Sequence, residues 1–181
     1  AMQTRGIEPN TRCYNGALKA CDRAQQPDAA LQLLERMRSR DRPSAQPSKV
    51  SYASVIAAFA RLGLFERSVA LLRQMRNDGI KPNVVVYGAV MQSLSVNGAW
   101  EAALQLLSDM SRERVRPNAV VLGSVVNACA VGGAWQPALA ITKGMESRWG
   151  VVPDVACINA AIKACARGGQ AAWAPQLPES L

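Results

Sequence analysis

MRNDGIKPN at residues 75–83 and MSRERVRPN at residues 110–118 each run from a methionine through charged residues to a proline and an asparagine. The same ending, proline before a small polar residue, recurs at Pro9-Asn10, Pro47-Ser48, Pro82-Asn83, Pro117-Asn118 and Pro153-Asp154, spaced by 38, 35, 35 and 36 residues. Met2 keeps the register of Met75 and Met110, Met145 needs one extra residue, and Met37 needs three, absorbed in the loop Arg40–Gln46. A period of this length, sustained over five endings, marks a tandem repeat.

Within a repeat the apolar residues follow helical spacing twice. The first helix opens about four residues after the polar residue, with Tyr52, Val55, Ile56 and Phe59 at i, i+3, i+4 and i+7. It ends near Gly63, Gly98, Gly132-Gly133 and Gly168-Gly169, where glycine adopts positive φ at least cost. The second helix carries Ala30/Leu33/Leu34/Met37, Ser68/Leu71/Leu72/Met75 and Ala103/Leu106/Leu107/Met110 at the same spacing. Pro27 and Pro137 fall in its first turn, where a missing N–H is tolerated. One such hairpin cannot bury its apolar face alone, so stacking is required. The expected fold is all-α: a right-handed α-solenoid of helix-turn-helix repeats over residues 2–175, with a concave inner surface. Its boundaries are a partial repeat at 2–10, repeats at 11–48, 49–83, 84–118 and 119–154, a partial repeat at 155–175, and a tail at 176–181.

Composition agrees with close-packed helices. Aromatics are only 5% of the chain, so Ala, Val, Leu and Met must fill the core. The formal charge of +8 is uneven: residues 1–90 carry a net +7 and residues 91–181 a net +1. A basic half favours a polyanionic partner. The uncharged run 117–142 is interrupted by Gly132-Gly133 and Pro137, which suits two buried helices better than a membrane span. The opening Ala1-Met2-Gln3 carries no recognisable secretory or transit signal.

Five cysteines obey the period: Cys13 matches Cys157, and Cys21, Cys129 and Cys165 match one another. Positions i and i+8 share a helix face, so these read as buried core thiols in a reducing compartment. Without histidine or a C-x-x-C pair, most zinc arrangements and every histidine-based triad are excluded. The acidic residues form no dyad, and Val131-Gly132-Gly133-Ala134 is no phosphate loop. No catalytic residue, metal or cofactor is expected. Trp100 and Trp135 stand at equivalent second-helix starts, with Trp173 nearly so, which marks inter-helix packing.

These features resemble the P-type pentatricopeptide repeat family. The resemblance rests on the period, Tyr14-Asn15, the glycine ending the first helix, the late methionine, and Gly79-Ile80-Lys81-Pro82-Asn83. The Ala-Cys-Ala-x-Gly-Gly blocks at 128–133 and 164–169 resemble algal members. The resemblance implies single-stranded RNA binding in a chloroplast or mitochondrion, one nucleotide per repeat. The implied base-reading pairs are Asn15 with Ser48, Ala53 with Asn83, Gly88 with Asn118, and Gly123 with Asp154; Asn159 opens a fifth. Val50, Val85 and Val120 would wedge the bases apart, and Lys19, Arg23, Arg61, Lys163 and Arg167 would approach phosphates.

Departures from the family pattern point to low sequence specificity. Ala53, Gly88 and Gly123 have no hydrogen-bonding side chain, so only Asn15–Ser48 matches a family combination, one favouring a pyrimidine such as cytosine. Arg12 replaces the first wedge, and Val96 and Val131 stand where Arg23 and Arg61 do. A second hypothesis therefore stands beside the first: a structural solenoid of an organellar assembly, ribosome or photosynthetic complex, with protein packed on residues 84–154.

Overall fold

The computed structural model describes residues 9–39 and 45–169. The start at Met2, the loop residues 40–44, Trp173 and the rest of 170–181 lie outside the described residues. Among the described residues are nine α-helices and no strand: α1 Thr11–Arg23, α2 Pro27–Arg38, α3 Lys49–Arg61, α4 Phe65–Asn77, α5 Val84–Asn97, α6 Trp100–Arg112, α7 Ala119–Val131, α8 Trp135–Trp149 and α9 Val155–Arg167. The chain forms two compact units, Ala1–Val90 and Met91–Leu181. In the first, α1 packs on α2 and α3, and α3 packs on α2 and α4. In the second, α7 packs on α6, α8 and α9, and α8 packs on α9. In the first unit α1 thus lies against its own second helix and the first helix of the next repeat, and in the second unit α7 does the same, the local order of an α-solenoid.

The polar residue that closes each repeat starts the next first helix. Asn10, Ser48, Asn83, Asn118 and Asp154 each accept, through the side chain, the backbone N–H three residues on. These are N-caps, each stabilising a helix start by roughly 1 kcal/mol. Of the second helices, α2, α4, α6 and α8 have no side-chain cap. They are set by tight turns instead. In these turns the N–H of Leu64 closes on the Phe59 carbonyl (3.1 Å) and that of Ala134 on the Cys129 carbonyl (2.8 Å). The turn requires a left-handed residue, supplied by Gly63, Gly98 and Gly133, and by Gln25 at φ +53° in the first repeat.

The glycine pairs divide their work in a way the spacing did not reveal. Gly133 and Gly169 have positive φ, whereas Gly132 and Gly168 are right-handed at φ −79° and −78°. Gly132 and Gly168 are needed for space. A methyl carbon on Gly132 would overlap the Trp100 ring and stand 2.6 Å from the Gly98 carbonyl oxygen, and one on Gly168 would overlap Trp135. Trp100 and Trp135 therefore pack between helices, as their equivalent positions suggested.

The core follows the helical spacing. Tyr52, Val55, Ile56 and Phe59 are buried, as are Met37, Met75, Met110 and Met145. Ala30, Ser68, Ala103 and Ala138 are fully covered, and the Ser68 hydroxyl is satisfied by the Leu64 carbonyl (3.2 Å). Cys129, Cys157 and Cys165 are buried, and burial pushes the Cys129 thiol up to about 11. Cys13 departs from the expectation of a core thiol: it is exposed, and Cys21 is half-buried. Cys157 is covered by Met145 and Thr142 of α8, the preceding second helix. No described second helix precedes Cys13. The uncharged run forms α7 and α8, and no helix among the described residues is long and apolar enough to cross a membrane.

A polar cluster joins α2, α3 and the end of α4. Asp78 takes two hydrogen bonds from the Arg38 guanidinium (2.8 and 2.9 Å) and one from the Tyr52 hydroxyl. Hydrogen bonding by Arg38 holds the Asp78 carboxyl below its usual range, while burial and then Asp78 push the Tyr52 hydroxyl up. A depressed carboxylate contributes stability above its unfolded pKa, near 3.9, and loses it as pH falls through the folded value. The stability gap between wild type and Asp78→Asn, read from urea midpoints between pH 2 and 6, is therefore expected to shrink below about pH 4. A gap constant with pH would show that the Asp78 charge contributes nothing.

Candidate nucleic-acid interface

In the first unit α1 and α3 lie side by side, and the groove along them has a volume of about 490 Å³. Its lining brings together side chains from three repeats: Lys19 and Arg23 of α1, Lys49, Val50, Ala53 and Arg61 of α3, and Asn83 and Val85 at the start of α5. Two of the three wedge residues, one reading pair and three of the cations expected from the sequence thus share one surface. Val50 and Val85 are 46% and 65% exposed, which is unusual for valine and leaves their methyls available to an apolar face. Lys49 is an additional cation here, and its only signal in the sequence was adjacency to Val50.

Two of the expected cations, Arg61 and Arg167, are tethered as well as exposed. An Arg61 guanidinium nitrogen lies 3.2 Å from an oxygen of Asp22, the acidic residue in the lining. Arg167, thirteen residues after the cap Asp154 of its helix as Arg61 is after the cap Ser48, behaves alike. It donates to the carbonyls of Ala130 (2.9 Å) and Val131 (3.4 Å) at the end of α7. Each arginine leans back onto the preceding first helix, where carbonyls or a carboxylate hold it. Lys163 is exposed on α9, as is Asn159.

Asn15 and Ser48 meet, and a third residue joins them. The Asn15 Nδ2 donates to Ser48 Oγ at 3.5 Å, and Ser51 Oγ donates to Asn15 Oδ1 at 2.7 Å. The other reading residues lie as follows. Ala53 and Gly88 are half-buried, and Asn118 is exposed at its cap. Val120, Gly123 and Asp154 line a groove of about 390 Å³ in the second unit, together with Gln92, Val96 and Asn127. No lysine or arginine is among its lining residues. Asn127 donates to Ser95 Oγ (2.8 Å), and Val96 and Val120 are 67% and 66% exposed. Among the described residues no three His, Cys, Asp or Glu side chains converge as a metal site would need.

Comparison with known proteins follows the repeats. Family models match in succession: a pentatricopeptide repeat domain at residues 1–62, a PPR repeat at 50–80 and the PPR repeat family at 82–131. A pentatricopeptide repeat-containing protein of Arabidopsis thaliana is 34% identical over 74 residues, covering 41% of this chain and 10% of that protein. The crystal structure of the pentatricopeptide repeat protein PPR10 from maize superimposes with a TM-score of 0.70 at 27% identity, over 89% of this chain and 22% of that one. PPR10 in complex with an 18-nt psaJ RNA element gives 0.71 at 26%, over 87% and 23%. The repeat domain of Arabidopsis thaliana protein-only RNase P 1, in complex with tRNA, gives 0.74 at 18% over 92% and 87%, a likeness of fold. The chain thus spans about a tenth of the curated relative and under a quarter of the maize protein.

Proposed function

Since this chain belongs to the pentatricopeptide repeat family, we propose that it binds single-stranded RNA along its first helices, with low sequence specificity, in chloroplast or mitochondrial RNA processing, stability or translation. The observation that carries the reading is the first-unit groove, where Val50 and Val85 project beside Ala53 and Asn83 among Lys19, Arg23, Lys49 and Arg61. Apolar methyls suit base faces and the cations suit phosphates. Likeness to PPR10 bound to RNA supports the same reading. Specificity is low because Ala53, Gly88 and Gly123 offer a base edge no side-chain donor or acceptor. The organellar setting draws its support from the family.

The test is an electrophoretic shift with a ladder of short single-stranded RNAs at low and high salt. With about three phosphates neutralised, log affinity is expected to fall against log salt with a slope near −2. No shift at low salt would overturn the proposal. A second reading, a protein partner on the second unit, is favoured by one observation: its groove is rimmed by exposed Val96 and Val120 and lined by no cation. RNA protection of first-unit residues alone would point to it.

A further inference from the structure

The residue three positions after each cap differs among the repeats. After the first helices bearing Asn15, Ala53, Gly88 and Gly123 it is Ser51, Val86, Val121 and Cys157. A hydroxyl thus stands there only where the preceding reading position has an amide; where that position is Ala or Gly, the place is filled by Val or Cys.

The geometry shows what the hydroxyl does. Ser51 is completely buried, and its Oγ accepts the Ser48 backbone N–H at 3.0 Å. That N–H takes one lone pair, and the hydroxyl proton goes to Asn15 Oδ1 at 2.7 Å. Such a separation is normal for O–H···O and short for N–H···O, so the amide oxygen, not its nitrogen, belongs at Ser51. Asn15 Nδ2 faces Ser48 Oγ at 3.5 Å, a long contact that leaves its second N–H for a ligand.

We infer that Ser51 is a positioning residue that locks the Asn15 amide with its oxygen inward, so that this repeat offers a base an N–H donor. This deepens the RNA-binding reading and rests on it. A fixed donor favours the base whose ring N3 is an acceptor, cytosine, over uracil, whose N3 is a donor. Without the hydroxyl the amide turns freely and serves either base.

Homo-oligomers test this without knowledge of register, because every repeat then meets the same base. Affinities of the full chain for oligo-C and oligo-U are measured by fluorescence anisotropy for wild type, Ser51→Val, Ser51→Thr and Asn15→Ala. Valine occupies the equivalent place in two other repeats, so this variant fits the fold, and melting temperatures check it. Wild type is expected to favour oligo-C about fivefold, on the scale of one hydrogen bond. Ser51→Val should reduce the ratio to that of Asn15→Ala, and Ser51→Thr should retain it. A wild-type ratio in Ser51→Val alongside a collapsed ratio in Asn15→Ala overturns the role of Ser51 alone. Binding of neither oligomer overturns the RNA reading, and this inference with it.

Discussion

Replacing Arg23 and Arg61 together by alanine is expected to weaken RNA binding about ten- to thirtyfold at 0.1 M salt and to make the salt slope shallower by about 1.4. Both side chains border the groove that holds Val50 and Val85, and contacts to phosphate carry no base information. The loss should therefore be equal for oligo-C and oligo-U. The two arginines are not equivalent. Removing Arg61 releases Asp22, whose carboxylate would then face the phosphates uncompensated. Arg61→Ala alone should cost more than Arg23→Ala, and adding Asp22→Asn to Arg61→Ala should recover part of the loss. The half-exposed ion pair is worth at most about 1 kcal/mol to the fold, so circular dichroism should be unchanged. A loss that depends on the base would remove these arginines from the phosphate path.

The largest effect on stability is expected at Gly132. A methyl carbon there meets the Trp100 ring and the Gly98 carbonyl oxygen at 2.6 Å, and the carbonyl belongs to a backbone that cannot swing aside. Overpacking of this kind costs roughly 1–3 kcal/mol. Gly133→Ala meets open space and suffers only its left-handed φ of +76°, a penalty of about 1–2 kcal/mol. Gly168→Ala separates the two contributions to a close approach. The nearest atoms to its methyl are all in the Trp135 ring, so Trp135→Ala should relieve the clash there. Trp100→Ala should relieve Gly132→Ala only in part. Urea midpoints of the six variants form two double-mutant cycles. Gly132→Ala less harmful than Gly133→Ala would refute the close approach.

The period, the paired helices and the covered methionines were legible because burial imposes helical spacing that any short window displays. Residues that act between repeats were harder to see. Ser51 meets Asn15 from 36 residues away, and Arg167 meets Ala130 from 37, and no local pattern announces either contact. The glycine pairs looked like one signal because two different demands, positive φ and room for a tryptophan, fall on adjacent residues. Cys13 looked like Cys157 because the period describes a position within a repeat, whereas burial depends on the neighbour that covers it. The groove in the first unit was legible residue by residue through family resemblance, but not Lys49 or the Asp22 tether.

Ser48, Asn83, Asn118 and Asp154 each begin a helix with the same side chain that, on the proposed RNA-binding reading, a base would meet. Any attempt to rewrite what this chain recognises must therefore choose from an alphabet of helix starters: Asn, Asp, Ser and Thr. A lysine or leucine at such a place would forfeit about 1 kcal/mol of cap at every letter changed. Recoding several repeats at once would erode the scaffold before it altered the message, so the vocabulary at this position is bounded by folding as much as by chemistry.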